Sequence, residues 1–237
     1  MTRLSVNINK IATLRNSRGG NIPNVEEAAI NCQKFGAQGI TVHPRPDERH
    51  ITRKDVYALK PLITTEFNIE GYPSEDFLKM VIEVKADQVT LVPDTHHQLT
   101  SDHGWDTHKN LSLLKEVISR LKENGIRTSV FVDPDLKAIE GAAKAGADRI
   151  ELYTETYASL YPKNREKAIA PFIKAAKFAD KIGLDVNAGH DLSLENLRYL
   201  HESIPELKEV SIGHALISEA LYLGLETTIH KYLDCLK

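Results

Sequence analysis

The sequence predicts an α/β protein built as a (β/α)8 barrel of the TIM type, one domain over residues 1–237 with extra helices and a long lid loop after the fourth strand. Three observations predict it. Eight short apolar runs alternate with eight helical patterns, and 237 residues is close to the usual size of about 250 for such a barrel. The phrases Phe35-Gly36-Ala37-Gln38-Gly39-Ile40 and Ala145-Gly146-Ala147-Asp148-Arg149-Ile150 spell the same helix-to-strand turn twice. The competing architecture, a doubly wound open sheet, would carry a Gly-x-Gly-x-x-Gly turn after its first strand, and this chain has none there.

Residues 4–9 alternate apolar and polar, the pattern of a strand whose two faces meet different surroundings, and the polar face ends in Asn7 and Asn9. The basic stretch that follows, from Lys10 through Arg15 and Arg18 to Gly19-Gly20, reads as an exposed turn whose backbone N–H groups could face an anion. Asn24 caps a helix that carries Glu26 and Glu27 in its first turn and runs to Gly36, with Cys32 on its apolar face. The second strand, 39–42, exits into His43-Pro44-Arg45-Pro46-Asp47-Glu48-Arg49-His50, where two histidines and two arginines ride on a loop stiffened by proline.

A helix over 52–62 leads to a strand over 66–70 that ends on the carboxylate of Glu70. Ser74 caps the next helix, and the strand 88–92 meets Pro93. From there to about Lys109 the chain has no periodicity; connections of that length in a compact domain are usually functional, and this one is expected to be a lid. A helix over 110–125, a strand over 126–132 and a helix over 136–145 follow. The sixth strand, 149–153, carries Glu151. A long helix, 163–182, leads to the seventh strand, 184–187, which stops at Asn187-Ala188-Gly189-His190. A helix over 194–201, a strand over 210–212 and a closing helix from Ala215 complete the series, with Gly213-His214 at the last strand exit.

Composition restricts the partners. Thirty basic against 33 acidic residues give a net charge of −3, so no global field favours nucleic acid or an anionic membrane, and small molecules are the expected ligands. No apolar run reaches the roughly 20 residues that a spanning helix needs, and the N-terminus lacks a signal-peptide pattern, so the expected location is cytoplasmic. Cys32 and Cys235 lie far apart in sequence and read as reduced.

In a barrel the residues just past each strand converge on one face. Here those are Asn7, Asn9, His43, Arg45, His50, Glu70, Thr100, Glu151, Asn187, His190 and His214. Such a set can hold phosphate and move protons. Gly213-His214-Ala215 opens a helix, a position suited to an anion. Zinc is the rival reading of four histidines and two glutamates, but no HxH or HExxH pairs two ligands on one element, so no metal is expected. No strand core holds a Schiff-base lysine, and Lys10 is the one candidate. His96, His97, His103 and His108 read as solvated loop residues, and His201 and His230 as ordinary helix residues.

The dispersed segments Val6-Asn7-Ile8, Ile11-Ala12-Thr13-Leu14-Arg15-Asn16, Arg18-Gly19, Gly39-Ile40-Thr41-Val42-His43, Arg49-His50-Ile51, Asn68-Ile69-Glu70, Leu91-Val92-Pro93, Val186-Asn187-Ala188-Gly189-His190 and Ile212-Gly213-His214-Ala215 together resemble the pyridoxine 5′-phosphate synthase family. The resemblance implies an enzyme that joins 3-amino-2-oxopropyl phosphate to 1-deoxy-D-xylulose 5-phosphate, releasing phosphate and water without cofactor or metal. It implies proton acceptors at His43 and Glu70 and a proton donor at His190. Asn7, Arg18, Gly213 and His214 would hold the aminoketone phosphate. Arg45, His50 and Thr100, with Asn9 and Lys10, would hold the sugar phosphate. It also implies a homo-octamer and a lid formed by the loop after Pro93.

The chain departs from the family pattern at two places. The family often has Asp-His where this chain has Asn9-Lys10, and Gly where it has Asp191, a substrate-site position at which a carboxylate facing a phosphate is unfavourable. Two other classes compete with the synthase: a barrel that binds a phosphorylated metabolite without turning it over, and a metal-dependent aldolase or epimerase.

Overall fold

The alternating runs form eight strands: β1 Arg3–Asn7, β2 Gly39–Val42, β3 Glu66–Gly71, β4 Gln88–Leu91, β5 Arg127–Val132, β6 Arg149–Tyr153, β7 Asp185–Gly189 and β8 Leu207–Ile212. In the computed structural model, which describes residues 2–94 and 101–237, each strand pairs in parallel with its sequence neighbours and β8 returns to β1. The barrel is therefore closed. Around it lie α1 Asn9–Asn16, α2 Val25–Lys34, α3 Arg53–Leu59, α4 Glu75–Glu83, α5 Leu111–Glu123, α6 Leu136–Ala145, α7 Glu155–Leu160, α8 Arg165–Lys181, α9 Leu197–Ser203, α10 His214–Leu223 and α11 Leu225–Cys235. None of the described helices is long and apolar enough to cross a membrane.

The helix starts follow their capping residues. The Asn24 side chain accepts from the Glu27 N–H, Ser74 from Phe77, and Thr52 forms a reciprocal box with Asp55. One expectation fails at the first connection. The stretch after β1 is the helix α1, not an exposed turn, because Ile8, Ala12 and Arg15 recur at helical spacing on a buried face. Arg15 is 8% exposed and donates to Asp55 at 2.6 and 2.8 Å and to the His50 carbonyl at 3.1 Å. A charge that ties the second loop to the first was misread as solvated.

Other boundaries shift. Helix α7 arises between the sixth strand and the long helix, where the sequence pattern assigns no element, the seventh crossover helix begins at Leu197 and not at 194, and β8 begins at Leu207 and not at 210. The closing helix is two, broken at Gly224 with φ 80°. The long connection after β4 is only partly open to description, since residues 95–100 lie outside the described residues. From Ser101 onward it packs on the barrel. Trp105 stacks on Tyr72 with centroids 5.8 Å apart, and its indole N–H donates to the Leu91 carbonyl at 3.0 Å.

The apolar core lies between strands and helices, where Val6, Ile40, Ile69, Leu91, Val130, Leu152 and Ile212 are buried. The barrel interior is polar. Ser5 and Thr41 share a hydrogen bond of 2.7 Å, Thr90 donates to Asn68 at 3.1 Å and to Glu151 at 3.4 Å, and Gln88 donates to Glu209 at 3.4 Å. Below this layer Arg3 bridges Glu66 and Glu209 at 2.8 and 3.2 Å. Asn187 belongs here and not at the strand exits: it is 1% exposed, and its Oδ1 accepts from Arg149 at 3.4 Å.

Candidate active site

At the carboxyl ends of the strands a cavity of about 610 Å³ opens to solvent. It gathers twelve of the residues expected from the sequence: Asn7, Asn9, Lys10, His43, Arg45, His50, Glu70, Glu151, His190, Asp191, Gly213 and His214. Two others are not in it, and a third cannot be placed. Arg18 is exposed in the turn after α1, Asn187 lies beneath the cavity, and Thr100 lies outside the described residues.

The first two strands hold one wall. Asn7 ends β1; its side-chain oxygen accepts from the Asn9 N–H at 3.0 Å, and its amide donates to Glu70 at 3.5 Å. Asn9 in turn accepts from the His43 N–H at 2.9 Å, so this asparagine fixes the backbone that presents His43. His43 Nδ1 stands 3.8 Å from Glu70 Oε2. Burial, together with the charges of Arg45 and Arg49, pushes the His43 imidazole well below its ordinary range, so it is neutral and able to accept a proton. His50 is held down to about 4 by burial and by Arg45 and Lys10. Its Nδ1 accepts from the Ile51 N–H at 2.9 Å, so the neutral ring carries its proton on Nε2.

Glu70 ends β3 and is pushed up to about 7, first by burial and against the attraction of His190 and Arg45; the Ser211 hydroxyl also bonds it. Beneath it Glu151 rises well above the carboxylate range because it is buried and faces Glu70 and Glu209. Two carboxyls are thus raised above the ordinary range, Glu70 by burial and the charge of Asp94, Glu151 by burial and the charges of Glu70 and Glu209. Arg45 is engaged by Asp94 at 2.5 Å, which also accepts from the Ser101 hydroxyl at 2.7 Å.

The opposite wall comes from β7 and β8. His190 has φ 88°, the left-handed region, and its Nδ1 lies 2.6 Å from Asp191 Oδ2. Gly189 and Gly213 are glycines for lack of room. A Cβ at 189 would overlap the Glu151 carboxylate, and one at 213 would stand 3.0 Å from Asn7 Cβ. Helix α10 begins at His214 with no side-chain cap, and Gly213 and His214 at its start line the cavity.

Sequence reasoning missed Thr13, Arg49, Val92, Ser101, Phe131 and Ser211 as wall residues. Thr13 lies one helical turn beyond Asn9 and would have been visible had α1 been recognised. Phe131 and Ser211 occupy inward positions of their strands. Among the described residues, no group of three or more His, Cys, Asp or Glu side chains is gathered to hold a metal ion.

Comparison with known proteins gives the family and the fold. The family model described as pyridoxal phosphate biosynthesis protein PdxJ matches residues 4–237. Relatives named pyridoxine 5′-phosphate synthase from Phocaeicola vulgatus and Bacteroides fragilis are each 65% identical over 237 residues, covering the whole of both chains. The solved structure of 3-hexulose-6-phosphate synthase from Salmonella typhimurium superposes with a TM-score of 0.66 at 13% identity, covering 99% of this chain and 98% of that one, a likeness of fold alone. A match that runs the length of the barrel means that the chain belongs to the PdxJ family of pyridoxal phosphate biosynthesis enzymes.

Proposed function

We propose that this cavity closes the pyridine ring of pyridoxine 5′-phosphate from 3-amino-2-oxopropyl phosphate and 1-deoxy-D-xylulose 5-phosphate, with release of phosphate and water. The observation that carries the reading is the contact of a neutral His43 with a Glu70 carboxyl poised at about 7, in one cavity with His190. Condensing an amine with a ketone, expelling phosphate and closing an aromatic ring is a series of proton transfers. Groups that titrate near neutral pH, or stay neutral there, are suited to it.

In this reading His43 and Glu70 accept protons and His190 gives one to a departing oxygen. Asn7, Gly213, His214 and the first N–H groups of α10 hold one phosphate. Arg45, His50 and Lys10, braced by Asn9, hold the second, with Thr100 assigned to the same end by resemblance. The second phosphate competes with Asp94 for Arg45, which lies 2.5 Å from that carboxylate. Arg18 is assigned to the aminoketone phosphate by resemblance, and its exposed position gives that role no support within one chain.

The chain is expected to act as a homo-oligomer in the cytoplasm. Ile22 and Tyr222 leave 86% and 91% of their surfaces exposed, large apolar groups of the kind that subunit contacts cover. Incubating the purified protein with both phosphates is expected to yield a pyridine chromophore and one equivalent of inorganic phosphate. A folded protein that binds either phosphate without releasing any would overturn the synthase in favour of a binding barrel.

A further inference from the structure

The loop that leaves β7 contains an arrangement not required by the roles given so far. His190 Nδ1 and Asp191 Oδ2 are 2.6 Å apart, the distance of a charge-assisted hydrogen bond between adjacent residues. Here the pairing accompanies a bend in the backbone. His190 adopts φ 88°, a conformation that a side chain with a Cβ rarely takes. That bend is pinned on both sides. The Gly189 carbonyl accepts from the Thr154 N–H at 3.2 Å and from its hydroxyl at 2.8 Å. The His190 carbonyl accepts from the Leu192 N–H at 2.9 Å, and the Asp191 carbonyl from the Asn196 amide at 3.3 Å. On its face the ring meets Tyr153 edge-on with centroids 5.1 Å apart. Strain held by five contacts and ending in one side-chain pair has a purpose at the cavity wall.

We propose that Asp191 is a positioning residue for His190, gripping the imidazole through Nδ1–H so that the ring gives its proton to the departing oxygen from Nε2. An ionised carboxylate can only accept, so the nitrogen facing Asp191 must carry hydrogen. Proton exchange with substrate then runs through Nε2. In the step, the Nε2–H bond breaks as the carbon–oxygen bond of the departing hydroxyl breaks: the carbon–oxygen pair stays on that oxygen, the proton joins it to give water, and the lone pair of the condensed nitrogen closes a C=N bond to the carbon. The ring ends with its Nδ1–H still directed at Asp191. The same logic explains how a carboxylate can stand in a cavity built for phosphates: its charge is turned toward the imidazole.

The groups that act on this ring come from every wall. Glu70 faces it from β3, with Asp94 and Arg45 acting on Glu70 in turn. Glu151 and Tyr153 face it from β6, and His214 closes the cavity from α10. Asp191 is the one whose oxygen lies at hydrogen-bond distance from the ring nitrogen among the contacts described.

The inference rests on His190 as the acid, and its test separates the two. Steady-state rates with both phosphates are measured across pH for wild type, Asp191→Asn, Asp191→Glu and His190→Asn, with circular dichroism confirming fold. Without the grip on Nδ1 the ring is free to turn, so Asp191→Asn is expected to lower kcat about tenfold with each KM within twofold. Asp191→Glu is expected to restore most of kcat. An unchanged kcat, or a change in KM alone, overturns the inference, because packing or phosphate contact would do that. Full activity in His190→Asn would instead remove His190 as the acid. The grip is then read without turnover from the nitrogen-15 spectrum of the imidazole. Hydrogen on Nδ1 in wild type and its loss in Asp191→Gly supports it, and an unchanged spectrum overturns it.

Discussion

Replacing Glu70 with glutamine measures what a buried carboxyl costs the fold and whether it is poised as a base. The ordinary value of 4.5 rises to about 7 in the folded protein, chiefly through burial. Between those two values the folded protein holds a proton that the unfolded chain has released. Stability therefore falls as pH rises through that interval, by about 1.4 kcal/mol per pH unit. Over the range from pH 5 to pH 8 this amounts to about 2.5 kcal/mol. Glutamine keeps the shape and cannot ionise, so Glu70→Gln lacks this loss. The variant is expected to gain about 2.5 kcal/mol on wild type between pH 5 and pH 8, which for a chain of 237 residues is roughly 5 to 10 °C in melting temperature. Thermal unfolding of both proteins at the two pH values reads it, with Glu151 and Glu209 present in each as a common background. An equal difference in melting temperature at pH 5 and pH 8 would refute the reasoning, since Glu70 would then ionise in the fold as it does in the unfolded chain. Turnover in the variant is expected to fall by 100-fold or more, as the loss of a general base does.

Three further outcomes follow from the same geometry. Gly189→Ala puts a methyl against the Glu151 carboxylate and 3.2 Å from the Ser211 carbonyl, and is expected to cost about 1–3 kcal/mol in urea unfolding together with most of the activity. Arg15→Ala leaves Asp55 without its cation and frees the His50 carbonyl, and is expected to lower stability by about 3 kcal/mol in the same denaturant titration. Prolonged dialysis against a chelator is expected to leave turnover unchanged, and a loss restored by zinc or manganese would point to the aldolase or epimerase class.

The periodicity of the chain made the barrel legible because each strand is a short apolar run bounded by turn residues, and each helix a capped amphipathic face. The first helix was not. Its buried face is Ile8, Ala12 and Arg15, and a charged residue reads as exposed until Asp55, 40 positions away, is brought against it. Asn187 failed for the converse reason. Its place next to His190 suggested the cavity, but strand pleating turns it down into the barrel toward Arg149.

Strand exits are fixed by sequence, since a run of apolar residues that stops at Gly-His can be read without a partner. By itself the chain determined the eightfold alternation, twelve of the residues that line the cavity, and the family pattern. Only the tertiary structure decided what those residues are. Burial and neighbouring charge, properties of no single residue, leave His43 neutral and Glu70 near 7, and the return of the backbone at His190 aims Asp191 at an imidazole and not at a phosphate.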